Sequence, residues 1–237
     1  KVAFVHAHGP RAGWASAIAT RGLNVKFIYT DHAWNPDYRI RPANAVMQMV
    51  GLRVVCRVAK KVITVSNSSR DFLVGRGIAQ PEKTVVVPNG IDLRLFKARR
   101  ATTDDKYPIV GSVGVFNERK AHDVFVAAIP HIIAKNKKAR FVIVGDGPEL
   151  INVEKLAIQL GIRRFIHFAG RLDDKRRDAE RRQWPVYVQS SRDESFGIAA
   201  AEALAIPRQP IGWRRGTGRG RSRDRDRSRR RDRLCGR

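Results

Sequence analysis

Two doubly wound α/β units are the fold expected from this sequence, and three observations set that expectation. Strand-like and helix-like segments alternate along residues 1–90 and again along residues 109–206, the pattern of parallel sheets with helical crossovers. A polar, aperiodic stretch, Lys97-Ala-Arg-Arg-Ala-Thr-Thr-Asp-Asp-Lys-Tyr-Pro108, separates the two series as a linker would. After Ala205 the alternation stops and Arg, Gly, Asp and Ser take over. The predicted organisation is therefore a first unit at residues 1–92, a linker at 93–108, a second unit at 109–206 and a disordered basic tail at 207–237.

The first unit reads as strands at Val2-Ala-Phe-Val5, Val25-Lys-Phe-Ile-Tyr29, Lys61-Val-Ile-Thr-Val65 and Thr84-Val-Val-Val87, each a β-branched or aromatic run. Between them, residues 12–21, 42–60 and 68–76 show helical spacing, with Asn67 or Ser68 as a start signal and Gly75 or Gly77 as a stop. Pro88-Asn-Gly-Ile-Asp92 closes the last strand in a turn. In the second unit, strands are expected at 109–115, 140–144, 165–168 and 185–189. Helices are expected at 121–134, 150–160, 173–182 and 198–205. In two such units joined by a linker, a ligand belongs in the cleft at the carboxyl ends of the strands.

Composition narrows the function classes. With 237 residues, 43% hydrophobic and 29% charged, the chain is long enough for packed domains and too mixed to be fibrous or wholly disordered. The most hydrophobic region, Ala43 to Val65, is broken by Arg53, Arg57, Lys60 and Lys61, so no membrane-spanning run of about 20 apolar residues is expected. Two cysteines, Cys56 and Cys235, make neither a disulfide framework nor a zinc cluster, and a reducing cytoplasm is the expected compartment. The chain opens at Lys1 directly in strand-like residues, which suggests a start partway through a domain.

The formal charge is +25, and residues 207–237 carry 13 Arg and 3 Asp, a net of +10, which leaves +15 for the rest. A basic body suits an acidic substrate or an anionic membrane surface as well as a nucleic acid. An Arg-Ser/Arg-Asp repeat also binds RNA, so nucleic acid is expected as a partner only through the tail. The abrupt onset of that repeat equally resembles out-of-frame translation of a GC-rich gene.

The stretch with the most chemistry is Glu194-Ser-Phe-Gly-Ile198 followed by Glu202. A strand runs into a polar loop and then a helix whose first N–H groups are free to face a phosphate. The two carboxylates are about 12 Å apart at the rise of a helix, suited to a ligand with a sugar at one end and a ribose at the other. The same residues also fit a capped amphipathic helix with a solvated Glu at each end. His6-Ala-His8 invites a metal reading, but no carboxylate or Cys follows at ligand spacing, so no metal is expected. Asp146 in Gly145-Asp-Gly-Pro148 reads as a turn former.

From residue 1 to about residue 206 the chain resembles the retaining GT-B glycosyltransferases of family 4 (glycosyl transferase group 1). The resemblance is carried, in order, by His6-Ala-His-Gly9, Thr30-Asp-His32, Thr64-Val-Ser66, Pro88-Asn-Gly-Ile-Asp92 with Phe96, Lys120, Val144-Gly-Asp-Gly-Pro148, Phe168-Ala-Gly170 and Glu194-Ser-Phe-Gly-Ile198 through Glu202. It implies two Rossmann-like domains of the GT-B class, and a nucleotide-sugar donor held by the second. Lys120 would neutralise the leaving diphosphate, and Gly114 would let the backbone approach the phosphates. Glu194, with the N–H groups around Phe196, Gly197 and Ile198, would hold the sugar and phosphate. Glu202 would accept the ribose hydroxyls, and His32 would orient the acceptor hydroxyl or the donor sugar.

The family resemblance thus casts His32, Lys120 and Glu194 as catalytic. It implies retaining transfer without an enzyme nucleophile, to a sugar or lipid-linked acceptor, and no cofactor, the sugar nucleotide being substrate. The stretch Ala43 to Lys61, apolar on one side and basic on the other, suggests contact with anionic lipid at the inner face of a membrane and equally fits a core-facing helix. Departures stand at Val115, where the family usually has Arg, and at Ala121, where it usually has Gly, with Arg119 as the nearby cation. Both sheets are expected to lack strands, and activity is expected to be poor or absent.

Overall fold

The computed structural model describes residues 2–32, 42–96, 107–206 and 211–213, with backbone alone at 42–45 and 211–213. Most of the predicted linker and tail lies outside the described residues. Two parallel sheets are present. The first contains β1 (Phe4–His8), β2 (Lys26–Asp31), β3 (Lys61–Thr64) and β4 (Thr84–Val86) in that spatial order. Its crossovers run through α1 (Gly9–Ala19), α2 (Pro42–Val58) and α3 (Asn67–Gly75). The second contains β5 (Ile109–Val113), β6 (Arg140–Val144), β7 (Ile166–Gly170), β8 (Val186–Gln189) and β9 (Ile211–Trp213) in the order β7-β6-β5-β8-β9. Its helices are α4 (His122–Lys135), α5 (Leu150–Gln159), α6 (Asp174–Gln183) and α7 (Ile198–Ala205).

That order has a consequence for the site. The chain builds β5, β6 and β7 outward on one side, then returns to place β8 on the other side of β5. The direction of winding reverses at the β5/β8 boundary, and a crevice opens at the carboxyl ends of those two strands. The loops that carry Gly114 to Lys120 and Ser190 to Glu194 leave from there.

Burial follows the strand period. Along β6, Phe141 and Ile143 join the core beneath α4 and α5, while Val142 and Val144 join the core with Trp184, Tyr187, Ala200 and Ala203. A strand covered on both faces needs an unbroken apolar run, which explains Phe-Val-Ile-Val at 141–144. In the first unit Phe27, Tyr29, Val62 and Leu73 pack with Leu52 and Val55 of α2. In α3 the Ser66 hydroxyl accepts from the Ser69 N–H at 3.1 Å, which caps one free donor of the first turn.

Two expectations are corrected. β1 runs to His8 rather than stopping at Val5, because residues 4–8 pair in register with 26–30 of β2, and α1 then starts at once at Gly9. His6 and His8 are therefore strand residues on one face. Within the segment read as a structureless tail, Ile211-Gly-Trp213 pairs in parallel with Tyr187–Gln189 of β8. Apolar and aromatic residues at 211 and 213 supply the strand preference that the surrounding arginines obscure. The helix expected at 173–182 is present as α6, and within it Arg181 is fully buried, as is Trp184 at its end.

Candidate active site

The loop after β5 is fixed by the Gly145-Asp-Gly-Pro148 turn that crosses it. Gly114 N–H donates to Val144 O at 3.0 Å, Phe116 N–H to Asp146 O at 2.9 Å, and Glu149 N–H to Phe116 O at 3.0 Å. A Cβ at Gly145 would lie 1.9 Å from Gly114 O, so the crossing requires glycine there. Asp146 accepts from the Gly147 N–H at 2.7 Å, the turn-forming contact expected of it. A Cβ at Gly114 would press at 3.3 Å on His122 and at 3.4 Å on the Lys120 stem, so glycine at 114 lets both side chains tuck beneath the loop.

The loop after β8 is tied to the first. Ser190 Oγ donates to Lys120 O at 2.9 Å, Arg192 N–H to Arg119 O at 2.8 Å, and the Arg192 guanidinium to Glu118 O at 2.7 Å and Asp123 at 3.0 Å. These contacts bring Lys120 Nζ to 2.6 Å from Glu194 Oε2. The same oxygen accepts from Gln189 Nε2 at 2.9 Å and Ser191 Oγ at 3.2 Å, so the carboxylate is oriented by the strand end and the loop together. Gly197, at φ +79°, turns the chain into α7, and its absent Cβ leaves room for Glu194.

A cavity of about 400 Å³ opens between these loops. One end is lined by Gly114, Lys120 and Glu194, the middle by the start of α7 from Phe196 to Ile198, and the far end by Glu202. His32 and Asn89, from the first unit, also line it. All eight residues singled out from the sequence thus meet in one cavity. Sequence reasoning assigned no site role to Asn89, which stood in the turn and motif at 88–92, or to Arg177 of α6, and both line the same cavity. Arg119, expected as a nearby cation, instead pairs with Asp193 at 3.1 Å and does not line the cavity.

Glu202 is held from behind. Arg181 donates from Nη1 to Glu202 Oε2 at 2.6 Å and from Nη2 to Asp178 Oδ1 at 2.7 Å, with its guanidinium 5.8 Å from the Phe96 ring. Arg182 Nη2 donates to Leu95 O at 3.0 Å, so α6 is anchored to the Leu93–Phe96 turn, a short 3-10 helix at the start of the predicted linker. On the other wall, His8 Nδ1 and His32 Nε2 are 2.8 Å apart, and His6 Nε2 lies 2.7 Å from Thr30 Oγ1. His32 is thus linked to the neighbouring strand β1. Ser195 Oγ donates to His32 O at 3.3 Å and bridges the two units across the cleft.

Burial holds the His6 imidazolium disfavoured, with smaller contributions from the charges of His8 and His32. Behind Lys120, His122 is almost fully buried against the Phe116 ring, with centroids 4.3 Å apart and Nδ1 without a partner. Burial first, and the Lys120 charge second, push its pKa down to about 4. Among the described residues no cluster of three or more metal-ligating side chains occurs, and no helix is long and apolar enough to cross a membrane.

Residues 1–95 match the family described as Glycosyltransferase Family 4, and residues 95–211 match that described as Glycosyl transferases group 1. The chain is 26% identical over 207 residues to the phosphatidylinositol N-acetylglucosaminyltransferase gpi3 subunit of Schizosaccharomyces pombe, covering 86% of this chain and 44% of that protein. It is 32% identical over 208 residues to the phosphatidyl-myo-inositol mannosyltransferase of Propionibacterium freudenreichii, covering 85% and 49%. The chain therefore spans about half the length of the curated relatives it matches. Among solved structures, Anabaena HepE in complex with UDP and glucose superposes with a TM-score of 0.72 at 20% identity, covering 88% of this chain and 58% of that one. The motifs, the two sheets and both family matches agree, and the chain belongs to the GT-B glycosyltransferases of family 4, glycosyl transferase group 1.

Proposed function

We propose that the cleft binds a sugar nucleotide and serves retaining transfer of its sugar to a hydroxyl of a glycan or lipid-linked acceptor. One observation carries the reading: Lys120, Glu194, the start of α7 and Glu202 line a single cavity at the reversal point of the second sheet, with His32 and Asn89 of the first unit also in its lining. The Lys120 ammonium neutralises charge on the departing diphosphate, and the first-turn N–H groups of α7 add their dipoles. Glu194, steered by Lys120, Gln189 and Ser191, takes hydroxyls of the donor sugar. Glu202, backed by Arg181, takes the ribose hydroxyls.

Both carboxylates are committed to cations, Glu194 to Lys120 and Glu202 to Arg181. That pairing suits positioning and not the acid/base couple of a hydrolase. The acceptor hydroxyl then attacks the anomeric carbon on the face the diphosphate leaves, the C–O bond to phosphate breaks through an oxocarbenium-like state, and the departing phosphate oxygen takes the hydroxyl proton. His32, joined to His8, orients the attacking group.

A lipid-linked acceptor at the inner face of a membrane fits α2, which exposes Met47, Val50, Val54 and Val58 beside Arg57 and Lys60. Two of the named relatives are phosphatidylinositol-type transferases, consistent with that direction. The transferase reading is tested by incubating the full chain with UDP-glucose, UDP-N-acetylglucosamine and GDP-mannose and following donor cleavage and product by NMR. Donor-dependent cleavage that is lost in Glu202→Ala supports the reading. Binding without cleavage leaves a nucleotide-binding module, and absence of both removes the reading.

A further inference from the structure

Two cavities meet beside the loop after β5. The first is the cleft just described, and the second, of about 490 Å³, lies between that loop, the turn after β6 and the segment Arg171-Leu172. They share Val113, Gly114, Val115 and one charged side chain, Arg177. Arg177 therefore stands at the junction, beside the glycine backbone and on the same wall system as Lys120.

The charge of the cleft makes this position significant. A nucleoside diphosphate brings two to three negative charges, while the Lys120 ammonium is already shared with Glu194 at 2.6 Å. Position 115 offers a valine, and Arg119 is turned to Asp193. The Arg177 guanidinium is half-buried; Nη1 lies 2.7 Å from Asp174, a carboxylate 85% exposed, and Nε lies 3.7 Å from Asp178 with no hydrogen-bond partner. An ion pair to so exposed a partner is weak in water, whereas a fork of N–H donors facing a phosphate forms charge-assisted bonds.

We propose that Arg177 is the second cation of the diphosphate site, delivered by α6 from across the junction of the two cavities instead of by the loop after β5. The assignment rests on the reading of the cleft as a sugar-nucleotide site. It also explains the placement of Arg177 and Arg181 one turn apart on α6: the first reaches the phosphates and the second braces the carboxylate for the ribose.

Calorimetric titration of the full chain with UDP, UMP and uridine tests it, comparing wild type with Arg177→Ala, Arg177→Lys and Asp174→Asn. The expected result is UDP binding about 10- to 100-fold weaker in Arg177→Ala, a smaller loss for UMP, and uridine unchanged. Arg177→Lys recovers part of the loss, and Asp174→Asn binds UDP as tightly as wild type or more tightly. Equal UDP affinity in wild type and Arg177→Ala overturns the assignment while leaving the cleft as a nucleotide site. An equal loss for UDP and uridine also overturns it, since it marks a general disturbance of the pocket. Wild type that binds no UDP removes the reading of the cleft and this assignment with it.

Discussion

Arg181 and Glu202 form a 2.6 Å ion pair in which the arginine is fully buried and the glutamate reaches the cleft. Asp178, one turn earlier on α6, takes the other end of the same guanidinium at 2.7 Å. A charge placed there without partners is costly, so the two carboxylates and the arginine stand or fall together. The pair therefore connects stability to the ribose end of the proposed site.

Removal of both partners should cost less than the two single removals added together. Arg181→Met leaves two carboxylates facing each other and is expected to cost about 3 kcal/mol of stability. Arg181→Met combined with Glu202→Gln should lie closer to wild type than the sum of the two single changes. Urea denaturation of the four proteins measures that coupling, and strict additivity contradicts the account.

Lys120→Ala should lower the rate of donor cleavage by about 100- to 1000-fold, the usual cost of losing one group that stabilises developing charge. Its effect on the thermal midpoint should be small, because Glu194 keeps Gln189 and Ser191 as donors. Steady-state rates and melting curves on the same preparation separate the two effects.

Gly197 sits at φ +79° with Glu194 Cγ only 3.3 Å from where a Cβ would be. Gly197→Ala should cost about 1–2 kcal/mol through backbone strain and displace Glu194 from Lys120. Loss of donor cleavage beyond what the reduced folded fraction explains is the expected reading in a paired activity and unfolding measurement.

His122 gives the protein a specific acid sensitivity. Its pKa in the fold, about 4, lies below the value of an exposed histidine near 6.5, so between those limits the unfolded chain binds more protons. The stability this group contributes is complete above about pH 6.5 and is lost as pH falls towards 4, by up to about 3 kcal/mol. His122→Phe keeps the stacking on Phe116 and removes the titration. Unfolding free energies at pH 4.5 and 7.5 should differ less in the variant, and an equal difference in both proteins would falsify the assignment.

Ala121 is the one non-glycine residue with positive φ among those described, at φ 51°, at the N-cap of α4. This is the position where the family resemblance expected glycine. Relief of about 1–2 kcal/mol of left-handed strain in Ala121→Gly outweighs the roughly 0.8 kcal/mol of methyl burial lost, so a small rise in melting temperature is expected.

Much of this arrangement was legible in the sequence because it rests on short-range signals. The alternation of Phe-Val-Ile-Val at 141–144 with a following helix fixed a parallel strand, and Phe196-Gly-Ile198 ahead of an alanine-rich run fixed the start of α7. Of the eight site residues, the stretch from Glu194 to Glu202 stands out from its strand-loop-helix pattern, whereas His32, Gly114 and Lys120 were picked out only through the family resemblance. Arg177 and Arg181 were hidden because charged residues on a helix normally read as a solvated face. The signal lay in spacing: Asp174, Arg177, Asp178 and Arg181 fall at i, i+3, i+4 and i+7, one face, which is where a buried ion network would be written. β1 was drawn too short because the pairing of His6 and His8 with β2 is a long-range fact that no local propensity records.

Hydrogen–deuterium exchange of the full chain with and without UDP tests the central claim most directly. Slowed exchange confined to residues 114–120, 171–178 and 194–202 is the predicted result, since those segments form the proposed donor site. Protection elsewhere, or no change at UDP concentrations that saturate binding by calorimetry, would contradict the placement of a sugar nucleotide between Lys120 and Glu202.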